Sequence, residues 1–347
     1  MKKNILKKAG VSVLTLIMTT GLLACNTKIQ VEYDYDASQY VKLGQYKNIE
    51  VSVDTEAIAN EMVQNRVLSD QEDNTYYSET AREAQEGDQV TVDFTGSIGG
   101  AEISGFSSED YSLILGKDTF VIEGFVDELY GMKSGETKIV TLTVPQNFSS
   151  ASEYAGRRIV YEITMKTVEQ PNIPMITDGY VKEKYNCDTV ADYKAKIRSE
   201  LQSDIDAKIL SEKKEKVLEQ IYNNCEITGY PEEYLKAKTE ELDKSLSFYS
   251  VMKEMTNEEY CQENYGIGFD EYVKKNVEQD AIMQLIVKAE NISVTEYEYK
   301  DNLAAFALEQ GYSNKDTFVE KYGKNMIVKN MLYQKAQNLV VESATIK

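Results

Sequence analysis

The stretch of sequence that decides the fold is VTVDFTGSIGGAEISGFSSEDYSLILGKDTFVIEGFVDELYGMKSGETKIVTLTVP, residues 90–145. It begins with apolar residues at every second position, Val90, Val92 and Phe94, which is the period of a β-strand with one buried face. Two clusters of turn-forming residues interrupt it, Gly99-Gly100 and Lys133-Ser134-Gly135. Because the alternation returns at 138–144 and 159–165, the pattern predicts a β-rich domain over residues 86–170.

Beyond Pro171 and Pro174 the apolar period changes to that of helices. Apolar residues at every fourth position predict one long helix capped near Thr189: Tyr193, Ile197, Leu201, Ile205 and Ile209. Further helices are predicted after Pro231, around 273–285, at 295–309 and at 315–342. Residues 171–347 are therefore predicted to form an all-α domain.

Residues 41–85 lie before the β-rich domain and combine a strand with a helix. Ile49, Val51 and Val53 alternate, and a helix is predicted to begin near Asp54 or Thr55. We expect this segment to connect the β-rich domain to the helical one. The predicted fold class is α+β, with several domains: an antiparallel β-sheet with a short helix, and an all-α domain.

The amino terminus has the layout of a secretory signal peptide. Lysines precede a charge-free run that is shorter than the roughly 20 residues of a spanning helix. Leu22-Leu23-Ala24-Cys25 resembles the bacterial lipobox, and the alternative is an ordinary signal peptide with a chance cysteine. The resemblance implies a signal peptide at 1–24, a diacylated Cys25 as the new amino terminus, and a cell-membrane lipoprotein on the extracytoplasmic side. Residues 25–40 are polar and are predicted to be a tether.

Composition excludes several classes of function. The formal charge is −20, and it becomes −24 once residues 1–24 are removed, because they hold four lysines and no acids. Such a surface repels nucleic-acid phosphates and anionic headgroups, so we expect no nucleic-acid partner. The sequence has no histidine, which removes Ser-His-Asp and Cys-His catalysis and the commonest metal ligand.

The cysteines after Cys25 give no sign of a metal site or a disulfide framework. Cys187, Cys225 and Cys261 are widely spaced and form no Cys-x-x-Cys pair. Their number permits at most one internal disulfide. Buried, reduced cysteine is the preferred prediction, and neither metal nor cofactor is expected.

The quoted stretch resembles an FKBP-type peptidyl-prolyl isomerase domain, most closely the one in bacterial trigger factor. The resemblance is carried by Asp93-Phe94-Thr95-Gly96, Leu115-Gly116, Val121-Ile122-x-Gly124-Phe125, Gly131-Met132-x-x-Gly135-Glu136 and Val144-Pro145-x-x-Phe148. Val41-Lys42-Leu43-Gly44 is similar to the segment that leads into that domain, and the helical region is similar to SurA-like chaperone arms. The resemblance does not extend to the ribosome-docking domain of trigger factor, so a ribosome is not an expected partner.

The resemblance also implies an apolar pocket that binds X-Pro segments. Its expected residues, matched position by position, are Phe94, Ile103, Tyr111, Val121, Ile122, Phe125, Phe148 and Tyr161. Phe125 would be the floor, and the Ile122 backbone N–H would donate to a peptide carbonyl. Isomerisation in such a pocket needs no covalent step, because the pocket binds the twisted amide better than the planar one.

Three functions stay open on the sequence. The first is a lipid-anchored isomerase and chaperone that acts on unfolded or newly exported polypeptides. The second is a holdase with an inactive FKBP-like domain, since Ser104 replaces the usual acid and the loop 149–157 offers only Tyr154 as an aromatic contact. The third is a surface interaction protein that uses its 25 tyrosines as contact residues.

Overall fold

A computed structural model describes residues 27–148 and 152–347, so Cys25 and the predicted signal peptide lie outside the described residues. The chain forms two compact units, one of residues 27–59 and 202–347 and one of residues 60–201. The first is called the helical unit and the second the sheet unit.

The helices are α1 (Thr55–Asp73), α2 (Asp178–Tyr185), α3 (Val190–Glu200), α4 (Gln202–Asn224), α5 (Glu232–Met252), α6 (Asn257–Tyr265), α7 (Phe269–Ala289), α8 (Glu296–Glu309) and α9 (Lys315–Ser343). The strands are β1 (Val41–Lys42), β2 (Glu50–Val51), β3 (Tyr76–Glu79), β4 (Gln89–Ile98), β5 (Ala101–Glu102), β6 (Ser108–Ile114), β7 (Thr137–Thr143), β8 (Arg158–Asn172), β9 (Glu226–Ile227) and β10 (Thr345–Ile346).

The sheet unit is built around the antiparallel pair β4 and β8. β8 also pairs with β7 and, through its last residues, with β3, while β4 pairs with β5 and β6. In β4 every second residue is buried, as the sequence alternation predicted. The predicted strands at 138–144 and 159–165 are confirmed as β7, which ends at Thr143, and as part of β8. The mixed α+β class is likewise confirmed.

The boundary of this unit differs from the predicted 86–170. β3 lies inside the segment predicted to be a connection, and it pairs with β8, with Tyr77 opposite Pro171. On the other side, α2 and α3 pack with α1 around a core that includes Val67, Val181 and Tyr193. Local periodicity predicted these helices, but it did not indicate that they pack in the sheet unit.

The predicted long helix is two helices. The capping box of Thr189 and Asp192 opens α3 as predicted, but α3 ends at Glu200. Leu201 leaves the helical conformation, with φ −89° and ψ 2°, and α4 begins at Gln202. The break coincides with the passage of the chain from the sheet unit to the helical unit. The four-residue spacing of apolar side chains continues across the break at Leu201, because α3 and α4 each bury one apolar stripe.

In the helical unit, α7 is the central element. It packs against α4, α5, α6 and α9, and its buried residues lie on more than one face: Val273, Val277, Ala281, Ile282, Met283, Gln284, Ile286 and Val287. Capping boxes open α6 and α8, at Thr256 and Thr295. Over the part of the chain that the structure describes, no helix has the length and apolar character needed to cross a membrane.

The three described cysteines are free. Cys187 and Cys261 are buried and Cys225 is half-buried. Burial raises the pKa of the Cys225 and Cys261 thiols, which keeps these side chains neutral. Cys187 and Cys261 therefore act as small apolar core residues, as predicted.

The described part of the predicted tether, residues 27–40, packs on the helical unit. Its backbone bonds to the start of α8, from Ile29 N to Val294 O (2.9 Å) and from Glu296 N to Thr27 O (3.1 Å). Ala37 is buried, and its N–H donates to Gln284 Oε1 at 2.7 Å. Gln284 Nε2 donates to Tyr35 O at 3.1 Å. Residues 27–40 of the predicted tether are thus held by backbone groups and one buried amide, although their sequence is polar.

Replacing Gln284 with Leu tests how firmly this segment is held. The substitution removes both hydrogen bonds and leaves the buried Ala37 N–H without its acceptor, so we expect a loss of about 1–3 kcal/mol. Urea unfolding followed by circular dichroism measures the loss, and limited proteolysis shows whether residues 27–40 are released.

Gln334→Leu is the matched control, because Gln334 is exposed and makes one 3.3 Å contact with Glu309. It should change stability by less than about 0.5 kcal/mol. If Gln284→Leu behaved like this control, residues 27–40 would be a spacer after all.

Candidate functional site

Phe94 is placed by an irregularity in β4. The register with β8 shifts between Thr91 and Val92, and the register with β6 shifts between Val92 and Phe94. Such bulges bend a strand and redirect the next side chain. Asp93, at the bulge, accepts a 2.7 Å hydrogen bond from Asp110 N through its carboxylate, and Lys166 pairs with both acids. The charged groups thus lie on one face of the strand while Phe94 enters the core.

Phe94 is the centre of a group of rings that we call the aromatic cluster: Phe94, Tyr111, Phe120, Phe125 and Tyr161. The ring centroid of Phe94 lies 5.0 Å from Phe125, 5.6 Å from Tyr111 and 5.8 Å from Tyr161. Phe125 and Tyr161 are 5.1 Å apart. All four pairs meet edge to face, the arrangement that aromatic quadrupoles favour. The structure therefore brings together four of the residues predicted for the pocket.

The short loop 121–125 supplies the floor of the cluster. Phe125 is fully buried, its N–H donates to Ile122 O at 3.2 Å, and Gly124 adopts a φ of +84° that favours glycine. Ile122 is buried as well. No described residue accepts a hydrogen bond from the Ile122 N–H. The amide thus has no acceptor among the described residues, and its role as donor to a peptide carbonyl stays a prediction.

Val121 was predicted to line the pocket, and it packs against none of the rings of the aromatic cluster. Its side chain is 64% exposed and stands outside the core. Phe120, the preceding residue, packs in the cluster instead and was missed in the sequence. The only signal for it was an aromatic residue next to the Val121-Ile122 pair, and strand or helix periodicity does not reach this irregular loop.

A second group of rings borders the cluster. Phe148, which was predicted, lies 5.5 Å from Phe106, and Tyr154 lies 5.8 Å from Phe106. Ile103 is half-buried on the same core, and its N–H donates to Gly96 O at 2.9 Å. Phe106 was not predicted. Residues 149–151, and the side chain of Ser104, are outside what the structure describes.

Tyr161 carries the one polar atom of the cluster that is buried without a hydrogen-bond partner among the described residues, its hydroxyl. Burial raises the pKa of this phenol, so it stays protonated at physiological pH. No residue of the cluster is charged. The arrangement can bind an apolar ring and withdraw an amide from water, and it offers no nucleophile.

Comparison with known proteins agrees with this geometry. Residues 80–166 match the family described as FKBP-type peptidyl-prolyl cis-trans isomerase, and residues 189–342 match the one described as bacterial trigger factor protein (TF) C-terminus. Over these two regions the chain is similar to an FKBP-type isomerase and to the C-terminal part of trigger factor.

Individual relatives support the same conclusion. Trigger factor of Caldicellulosiruptor bescii is 31% identical over 287 residues, which are 79% of this chain and 64% of that protein. Trigger factor of Clostridium botulinum strain Hall is 27% identical over 314 residues, 88% of this chain and 72% of that protein. This chain thus spans about 64% of the length of the first relative.

A solved structure has the same fold. It comes from work described as "Promiscuous Substrate Recognition in Folding and Assembly Activities of the Trigger Factor Chaperone". It superposes with a TM-score of 0.50 at 20% identity and covers 87% of this chain and 72% of its own.

Gly96 makes the cluster possible, and substituting it tests the site. A Cβ on Gly96 would lie 2.7 Å from Phe106 O and 2.9 Å from Tyr161 Cε1, closer than atoms can approach. Gly96→Ala should therefore displace the Phe106 backbone and the Tyr161 ring and destabilise the sheet unit by about 1–3 kcal/mol. Chemical unfolding measures this loss.

Gly105→Ala serves as its control, since a Cβ there meets nothing within 4 Å. We expect a change within about 0.5 kcal/mol for it. Equal stability of the two variants would mean that the close approach at Gly96 is not needed.

Proposed function

We propose that the chain is a membrane-anchored, extracytoplasmic peptidyl-prolyl cis-trans isomerase and chaperone that assists the folding of exported proteins. The observation that carries the isomerase part is the aromatic cluster over a floor at Phe125, with the free amide of Ile122 beside it. Its substrates are X-Pro segments of unfolded polypeptides.

The chemistry follows from the character of the pocket. Rotation about an X-Pro bond is slow because the planar amide is stabilised by resonance, and water favours that polarised form. An apolar enclosure removes this solvation, and a ring-shaped fit favours the twisted amide. The Ile122 N–H would hold the peptide carbonyl in place while the bond rotates. Neither a proton transfer nor a cofactor enters this scheme.

The chaperone part is supported by exposed apolar residues at the end of α5. Phe248, Tyr249, Val251 and Met252 are all exposed there. Beneath them Leu246, Tyr260 and Cys261 form a small core of their own. An exposed apolar patch of this kind marks an interaction surface, and unfolded chains offer complementary apolar segments.

The anchor remains a proposal from the lipobox resemblance at Cys25. If Cys25 carries the lipid, at most about 7 Å of extended chain separates it from Thr27. Thr27 is bonded to the start of α8. The lipid would then hold the helical unit close to the bilayer without an intervening spacer.

The tyrosine-based interaction protein is less well supported. Tyr161 and Tyr193 lie in cores, and Tyr230 and Tyr234 donate to carboxylates within the helical unit. These four side chains are engaged in the fold, and exposed Tyr249 belongs to the apolar patch on α5.

A protease-coupled assay on proline tetrapeptides tests the isomerase. The purified full chain should accelerate isomerisation, and the double variant Phe125→Leu with Tyr161→Leu should lose roughly tenfold or more, since each ring contact contributes about 0.5–1.5 kcal/mol. The unfolding midpoint of the double variant must be measured alongside, because both rings are buried.

Ile139→Ala is the control for this experiment, because Ile139 is exposed on β7 and should leave the rate unchanged. Wild-type activity in a folded double variant would place the site elsewhere. An inactive wild type that still delays the aggregation of a denatured client would favour the holdase.

Mass spectrometry of the native amino-terminal peptide tests the anchor. We expect a diacylglyceryl group on Cys25, and its loss together with membrane association in Cys25→Ala. An unmodified Cys25 with cleavage at another position would contradict the proposed localisation and leave the isomerase proposal untouched.

A further inference from the structure

We propose that Phe120 occupies the place of the substrate's prolyl ring in the free site, and that it must leave when an X-Pro segment binds. The inference rests on the proposed isomerase function. It makes Phe120 an internal competitor that sets how tightly proline peptides bind.

The position of the Phe120 ring is that of a bound guest. It stacks on the floor residue Phe125, with centroids 4.0 Å apart and planes at 25°. Other rings of the cluster meet it with their edges, Phe94 at 5.4 Å and Tyr111 at 5.7 Å. Tyr161 completes the enclosure at 6.3 Å. One flat ring is thus stacked over the floor and surrounded by walls, which is how an apolar pocket would hold a proline ring.

The burial of the pocket residues points the same way. Phe125 and Tyr161 have no exposed surface, although a substrate pocket must present them to its ligand. Phe120 itself is only half-buried. Tyr111 is half-buried too, but Phe120 is the ring stacked on Phe125, so removing Phe120 would uncover the floor.

The backbone around Phe120 is free to turn. Asp118 ties the preceding turn to β6, through a 2.9 Å bond from its N–H to Ile114 O and a 2.7 Å bond from Ile114 N to its carboxylate. On the other side, Phe125 bonds to Ile122. Between these points, the structure gives Thr119, Phe120 and Val121 no backbone hydrogen bond to any described residue. Rotation there breaks no hydrogen bond.

Such a rotation also accounts for the exposed Val121. Phe120 lies in the cluster and its neighbour Val121 is exposed, so a turn of this segment that carries Phe120 outward would bring Val121 inward. Val121 would then become a pocket wall, the role that the resemblance implies for it. The free and the occupied site would differ by this exchange of two adjacent side chains.

The exchange predicts a gain of affinity when Phe120 is truncated. A site that is open in only a fraction of molecules binds its ligand more weakly by that fraction. If about one molecule in ten is open, Phe120→Ala should lower KM for a proline tetrapeptide roughly tenfold at little cost in kcat. A Phe120 that served as a wall would instead raise KM on truncation.

A fluorescence experiment observes the exchange directly and does not depend on Phe120→Ala folding well. The sequence has no tryptophan, so Phe120→Trp in the full chain gives a single reporter. Titration with a proline tetrapeptide should shift its emission to the red and increase quenching by iodide, because the indole moves into water. Tyr130→Trp, on the same unit and partly exposed, should show neither change.

The possible outcomes distinguish a failure of the Phe120 exchange from a failure of the proposed isomerase activity. A lowered KM for Phe120→Ala and a red shift for Phe120→Trp support the exchange. If the Phe120→Trp chain is active and its indole emission moves to the blue or stays fixed on saturation, the exchange alone is overturned. A wild-type chain that neither binds nor isomerises the peptide overturns the proposed isomerase and the exchange with it.

Discussion

The sheet unit depends on the close approach of β4 and β8 where Gly96 faces Tyr161. The missing side chain at 96 leaves room for the Tyr161 ring and for Phe106 against the strand backbone. Tyr161 can then meet Phe94 and Phe125 edge to face, and these three rings form the buried centre of the aromatic cluster. The motif Asp93-Phe94-Thr95-Gly96 is therefore a geometric unit, since its acid holds the bulge, its ring enters the pocket and its glycine admits the opposing ring.

The proposed isomerase site would act by exclusion of water. The cluster has no charge, and its one buried polar atom without a described partner is the Tyr161 hydroxyl. Leaving such a group unpaired costs about 1–3 kcal/mol, which the surrounding ring contacts must offset. Because amide rotation requires no proton transfer, a site without histidine can catalyse it. The composition that excluded most enzyme classes thus remains compatible with this one.

Much of the fold could be predicted from local pattern. The period of two gave the strands β4, β7 and β8, and Thr189, Thr295 and Pro231 marked helix starts that the structure confirms closely. Phe94, Tyr111, Phe125 and Tyr161 were also predicted to share a site, through the resemblance. Local sequence pattern did not predict the features that depend on contacts between distant parts of the chain. The break at Leu201 is invisible to apolar spacing, and nothing in the polar segment 27–40 indicated that Gln284 would hold its backbone.

Phe120 and Val121 illustrate the same limit within the site itself. Sequence motifs specify which side chains a pocket has, whereas the packing of the free protein decides which of two neighbours fills it. An empty apolar pocket in water exposes its walls, and an adjacent aromatic ring on an unrestrained loop removes that exposure by folding in. The free energy gained by covering the walls is then subtracted from the binding of any substrate. In this proposal the sheet, where Gly96 lies opposite Tyr161, fixes the shape of the pocket, and the loop that carries Phe120 sets how often the pocket is open.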